Sequence, residues 1–259
     1  AHGLRTTNTT QKNMRKTLLI AGAALAASII SSQAGVYSQN IVGYVNLPVK
    51  LGFTTLANPL DNGAGNSLTN LVPPGPSFDG SVVSVWTGTT FQAYVIDSSF
   101  STGVGDPGDN FAVTPPTINP GQAFFLNNVV GSNTLTEVGT VHIGGAGTGT
   151  VGIATNTLPA SPVQTFISSV LPVGGGLASV LQFTNAANPS AFDGCVVSVP
   201  HVVAGSVTGF DVVMFDSTFP TGFADPGDNF AVPEPVIPVG TGFFLNNTLG
   251  HSISWVQSY

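Results

Sequence analysis

Residues 97–128 read DSSFSTGVGDPGDNFAVTPPTINPGQAFFLNN, and residues 216–247 read DSTFPTGFADPGDNFAVPEPVIPVGTGFFLNN. Laid one on the other without a gap, 21 of the 32 positions are identical. The offset of 119 residues from Asp97 to Asp216 exceeds the period of solenoid and propeller repeats, so each copy is the size of a small domain. Phe192 answers Phe78 at an offset of only 114. The five extra residues of the second copy fall between those anchors, where residues 200–210 replace the shorter turn of residues 86–91. A hairpin tip tolerates insertion best. Anything one copy does the other should do as well, and a doubled module suits display, binding or building material better than catalysis.

The fold class follows from punctuation. Short runs rich in Val, Phe and Thr are separated by 32 Gly and 19 Pro, and helical periodicity is nearly absent after residue 34. The expectation is an all-β protein of two tandem β-sandwich-like modules or small barrels, behind an N-terminal signal-peptide helix. Strands are expected over residues 36–47, 53–57, 81–86, 91–96, 122–127 and 134–143, with residues 81–96 forming a hairpin around residues 87–90. Ser67 should cap a short helical stretch over residues 67–72, which Pro73 and Pro74 stop. The Phe-Phe-Leu of residues 124–126 and 243–245 should form core strands. The boundaries read as upstream and signal residues 1–34, module one over 35–143, a Gly-rich joint at 144–149 that could hinge, and module two over 150–259.

Met14-Arg15-Lys16, an apolar run over residues 18–30 and Ser32-Gln33-Ala34 are the three parts of a secretory signal, with cleavage expected after Ala34. Residues 1–13 lie upstream of it. The apolar run is too short to span a bilayer comfortably, and no other segment approaches that length. Export would leave Lys50 as the only Lys or Arg against twelve carboxylates, a net charge of −11. That argues against nucleic acid and anionic membrane surfaces, which select clustered Lys and Arg. The expected location is extracellular or on the cell surface.

The most repeated polar element is Asp-Pro-Gly-Asp-Asn. Copy one offers Asp97, Asp106, Asp109 and Asn110; copy two offers Asp216, Asp225, Asp228 and Asn229. Carboxylates and amides on one loop are what a hard cation takes as ligands, so calcium is the cofactor these loops suit, although none is required. The competing reading is a type II turn with Pro-Gly at its centre and Asp or Asn capping its amides. Asp79 and Asp193, in two Phe-Asp-Gly triplets, read as turn entries that bond local amides. Trp86, Phe91 and Tyr94 share one hairpin and are either an aromatic platform for a sugar ring or core residues. Cys195, the sole cysteine, replaces Ser81 of the first copy and reads as a small packed residue. His142, His201 and His251 have no counterparts and no metal-ligand spacing. No nucleophile elbow, phosphate loop or zinc cluster is legible, so an enzyme is not expected.

VYSQNIVGYVNLPVKLGFTTLANPL, a following hairpin and NPGQAFFLNN resemble uncharacterised secreted β-rich tandem-module proteins of environmental bacteria, of the surface or matrix type. The resemblance implies an extracellular β-module and supplies no catalytic residues. Three functions follow in order: a secreted structural or adhesive protein partnered by itself, a matrix or a glycan; a calcium- or carbohydrate-binding module; and an exported hydrolase. In the first, residues 36–47 serve as an edge or donated strand.

Overall fold

A computed structural model describes residues 42–63, 65–109, 111–141, 153–160, 163–184, 189–228 and 230–258. The expected signal peptide, the Gly-rich joint, His142, Asn110 and Asn229 lie outside the described residues. The protein is all-β, with sandwich-like modules in each copy. Among the described residues no helix is long and apolar enough to cross a membrane.

In the first copy the strands are β1 (Val42–Val49), β2 (Gly52–Ala57), β3 (Val82–Trp86), β4 (Phe91–Ile96), β5 (Val104–Gly105), β6 (Ala123–Asn128) and β7 (Asn133–Thr140). In the second they are β8 (Ile153–Leu158), β9 (Val163–Ile167), β10 (Gly175–Gly176), β11 (Val196–Val203), β12 (Ser206–Phe215), β13 (Phe223–Ala224), β14 (Val236–Ile237), β15 (Phe243–Asn247) and β16 (Ile253–Ser258). Every ladder is antiparallel. Copy one makes a five-stranded sheet in the order β2-β6-β3-β4-β5 and a separate β1-β7 ribbon. Copy two repeats this with β9-β15-β11-β12-β13 and a β8-β16 ribbon.

Strand alternation builds each core. Val83 and Val85 of β3 and Phe124 and Leu126 of β6 turn inward, where they meet Leu47, Val49 and Leu135 from the ribbon. In copy two, Val197, Phe243 and Leu245 meet Leu158, Ile253 and Trp255. Each large apolar side chain so buried stabilises the fold by about 1.5–3 kcal/mol. The Phe-Phe-Leu strands are core strands, as expected from the sequence.

Three local expectations change. The first strand runs through Val49, and its last residues Leu47 and Val49 are buried in the core. The short helix is Leu68–Leu71, with Ser67 at its N-cap but no side-chain capping bond; the Ser67 hydroxyl bonds Thr69 Oγ1 at 3.0 Å instead. The insertion in copy two becomes a longer hairpin arm, β11-β12, closed by Ala204 and Gly205, both at positive φ (53° and 89°). Two positive-φ residues at a two-residue tip match the right-handed twist of the strands.

The two copies form one compact unit. The outward face of each five-stranded sheet packs on that of the other. Ala57, Ala123 and Phe166 are buried between them, flanked by Trp86, Phe125 and Phe244. The rings of Phe125 and Phe166 stack at 4.7 Å and those of Phe166 and Phe244 at 4.4 Å.

Candidate functional site

The repeated acidic segment folds into two consecutive turns in each copy, and side-chain carboxylates hold both. Asp97 Oδ1 accepts from Ser99 N at 2.8 Å, and Asp216 Oδ1 accepts from Thr218 N at 2.9 Å. Further along, Asp106 Oδ1 accepts from Gly108 N at 2.7 Å and Asp109 N at 3.2 Å. Asp225 Oδ1 does the same for Gly227 N at 2.7 Å and Asp228 N at 3.0 Å. The loop closes where Asp106 N donates to Phe111 O, and Asp225 N to Phe230 O, each at 3.0 Å.

These bonds make the Asp-Pro-Gly-Asp segment an Asp-capped turn. It is not type II: that turn needs positive φ at its glycine, and neither Gly108 nor Gly227 lies there. A short carboxylate that reaches back to two amides satisfies the turn without a left-handed residue. Of the residues expected to bind a cation, Asp97, Asp106, Asp216 and Asp225 therefore each have one oxygen engaged by backbone amides. Asp109 and Asp228 stand exposed and accept no hydrogen bond from the described residues. Among the described residues no three His, Cys, Asp or Glu side chains group as a metal would require.

Asp79 bonds a local amide, as expected, and both Asp79 and Asp193 also reach residues far along the chain. Asp79 receives Gly75 N at 2.8 Å, Ser98 N at 2.9 Å and the Ser98 hydroxyl at 2.6 Å. Asp193 receives Ser217 N at 2.9 Å and the Ser217 hydroxyl at 2.7 Å. Each therefore ties the entry to the sheet's hairpin to the loop that leaves it. The Ser98 hydroxyl, joined by the amides, holds the Asp79 carboxyl below its ordinary value. The hydroxyl and amide of Thr218 do the same for Asp216.

Beside these loops stand features that the charges conceal. Phe111 and Phe230, equivalent positions of the repeat, are each 52% exposed. The signal was present in the sequence, since DPGDNF ends on an aromatic residue in both copies, but only the loop geometry puts it outside. On the outer face of the β1-β7 ribbon, Val42, Tyr44 and Val138 are also exposed, with Tyr44 directly opposite Val138.

The aromatic platform does not form. Trp86 and Phe91 pack 4.8 Å apart in the joint between modules, and Trp86 Nε1 donates to Gln164 O of the second copy at 3.0 Å. Tyr94 points to the opposite face and packs on the first core. Cys195 is fully buried and donates from Sγ to Asn247 Oδ1 at 3.8 Å. Ser81 makes the matching bond to Asn128 Oδ1 at 3.4 Å, which is why the two residues interchange. Burial pushes the Cys195 thiol up, away from the reactive thiolate. His201 sits on the hairpin arm, with Nδ1 at 3.1 Å from Asp211 Oδ2.

Two clefts open on the surface. One of about 280 Å³ is floored by Phe192, Phe215 and Phe223 and rimmed by Asp193 and Ser217. The other, of about 330 Å³, is lined largely by Pro73, Pro74, Pro76 and Phe78. Both are at the small end of ligand pockets, and the rim carboxylate of the first is already bonded to Ser217. Glu137 is a residue that sequence reasoning missed. It is 5% exposed on β7, and burial alone pushes its carboxyl up to about 8. Compared with known proteins, the chain matches no family, no curated protein and no solved structure.

Proposed function

We propose that the protein is a secreted structural or adhesive element that associates with itself or with extracellular matrix through its β-modules. The observation that supports this is the doubled, outward-facing loop tip. Phe111 and Phe230 stand half exposed, two residues along the chain from the exposed Asp109 and Asp228, on one compact unit. Two equal binding edges fixed on one body raise avidity without any new contact. The low density of charged side chains, 7% of the chain, fits a polar coat that packs against like surfaces.

Electron microscopy and light scattering of residues 35–259, with calcium and with chelator, test the reading. Filaments, sheets or discrete oligomers are expected, and a monomer at every concentration and on every matrix tried would refute it. Removing residues 35–47 is a poor probe of the first strand, because Leu47 belongs to the core and β1 is the partner of β7. Tyr44→Lys with Val138→Lys charges the exposed ribbon face instead, and it should reduce assembly while leaving the fold intact.

A second reading, a calcium- or carbohydrate-binding module, is favoured by the exposed carboxylates of Asp109 and Asp228, which accept no hydrogen bond from the described residues. Asp109→Ala with Asp228→Ala should then abolish any calcium-dependent rise in melting temperature. An unchanged rise would sink that reading.

A further inference from the structure

The face between the two copies is built like a dimer interface. Among the described residues no sheet mixes strands of both copies; one isolated bridge, Gln122 to Ile167, joins them, so parting the modules leaves both five-stranded sheets whole. The backbone bonds that cross the face are reciprocal: Ala57 N donates to Gly240 O and Ser168 N donates to Gly121 O, both at 2.8 Å. Gly121 and Gly240 are equivalent positions of the repeat. Ala57 and Ser168 are equivalent too, each following the residue that pairs with Phe124 or Phe243. When position i meets j and the counterpart of j meets that of i, the contact has approximate two-fold symmetry. Stacked phenylalanines fill it, as in the core of an obligate dimer.

Two features select which module pairs with which. Near the middle, a Cβ placed on Gly242 would stand 2.5 Å from the Cβ of Ala123, its counterpart in the repeat. Copy one supplies the methyl and copy two the space; Ala against Ala would clash, and Gly against Gly would leave a gap. At the edge, the hairpin arm carried only by copy two reaches the β1-β2 turn of copy one. There the Ser206 hydroxyl donates to Leu51 O at 2.6 Å, and Gly205 packs on Lys50. The first module therefore recognises a second module, and recognises its own kind poorly.

We infer that this face also joins separate chains: module one of one copy takes module two of another, so chains link by exchanging modules. The inference rests on the self-assembly reading and adds the face between modules to the loop tips and ribbon face named for it. Nothing in the face requires its two halves to share a chain, and the partner that fits it is a second copy.

Two full-length variants test it. Phe125→Arg spoils the face of module one and leaves that of module two; Phe244→Arg does the reverse. Alone, each should be a folded monomer. Mixed in equal amounts they should form a one-to-one dimer of twice the chain mass by light scattering, and a chain carrying both changes should join neither. A mixture that stays monomeric, or that aggregates without fixed stoichiometry, overturns the inference.

If either arginine variant lacks the strand signal in circular dichroism, a cysteine pair decides. Ser206 Cβ stands 3.7 Å from a Cβ built on Gly52, within the range of disulfides. Chains bearing Gly52→Cys and chains bearing Ser206→Cys, both with Cys195→Ser, are unfolded together and refolded under oxidation. A cross-linked heterodimer is expected; its absence, where one chain carrying both cysteines does form the disulfide within itself, refutes exchange. Polymers seen by microscopy without heterodimer or cross-link would fail this inference and leave self-assembly standing. Heterodimers from a chain that never polymerises would do the opposite.

Discussion

Glu137→Gln should change how stability depends on pH, in a direction fixed by burial. Glu137 lies inside the β1-β7 ribbon, opposite Val45, and no group among the described residues bonds its carboxyl. Burial pushes its pKa from 4.5 to about 8, so at neutral pH the folded chain keeps a proton that the unfolded chain releases. A raised acid stabilises the fold fully below about pH 4.5 and loses that contribution as pH climbs to about 8. Within this window the loss is about 1.4 kcal/mol per pH unit, or roughly 3 kcal/mol by pH 7 and about 5 kcal/mol above pH 8. Glutamine has nearly the same shape and cannot ionise. Urea unfolding at intervals from pH 4 to 9 should therefore show the wild type falling relative to Glu137→Gln through the window and running parallel to it outside. The slope of the difference is the readout, because an unpaired buried amide shifts the offset. Parallel profiles throughout would refute the argument.

Other substitutions report on the joint and the pinning residues. Gly242→Ala should cost about 1–3 kcal/mol by forcing a methyl against Ala123, and adding Ala123→Gly should restore part of it; two additive losses would show that the positions do not meet. Asn247→Ala should cost about 1–3 kcal/mol or more, since Nδ2 donates to Pro159 O at 2.7 Å and His251 O at 3.0 Å; chemical denaturation checks it, and a neutral result would mean water replaces the amide freely. Cys195→Ser should change stability by less than about 1.5 kcal/mol, because Ser81 already does this in the first copy; loss of folding would contradict the equivalence.

How far the sequence could be read depended on whether a residue had one structural use or two. Phe-Phe-Leu placed β6 and β15 in the core, and strand alternation also held the next conclusion. An apolar residue between two core residues must face the other side of the sheet, so Phe125 and Phe244 announced a second buried face. What covered that face was not legible, because it depends on how two modules dock rather than on any local pattern. The acidic loops were ambiguous for a different reason. Asp, Gly and Asn are the residues both of capped turns and of calcium loops, and only coordinates show that Asp106 and Asp225 give an oxygen to their own amides. Glu137 gave no sign at all: Thr-Leu-Thr-Glu-Val alternates like any half-exposed strand, with the carboxylate falling on the inward phase.

The differences between the copies are more informative than the identities. Counted from the paired residues Leu47–Leu135 and Leu158–Ile253, Glu137 occupies the register position that Trp255 fills in the second module. Trp255 is 1% exposed and donates to Leu181 O at 2.7 Å, so one ribbon is locked by a large ring where the other holds a carboxyl that titrates. Trp86 reaches Gln164 across the joint, whereas its counterpart Pro200 lies in the arm. Ala123 faces Gly242, and only copy two carries the insertion that touches Lys50 and Leu51. Three of these four asymmetries lie at the face between modules and the fourth in a ribbon. Two identical halves could pair with themselves equally well and would leave no preferred direction. Halves that differ at their common face pair one with two, whether in one chain or between chains. Between chains that rule gives an alternating, head-to-tail order, the arrangement that can close into a ring or continue as a fibre.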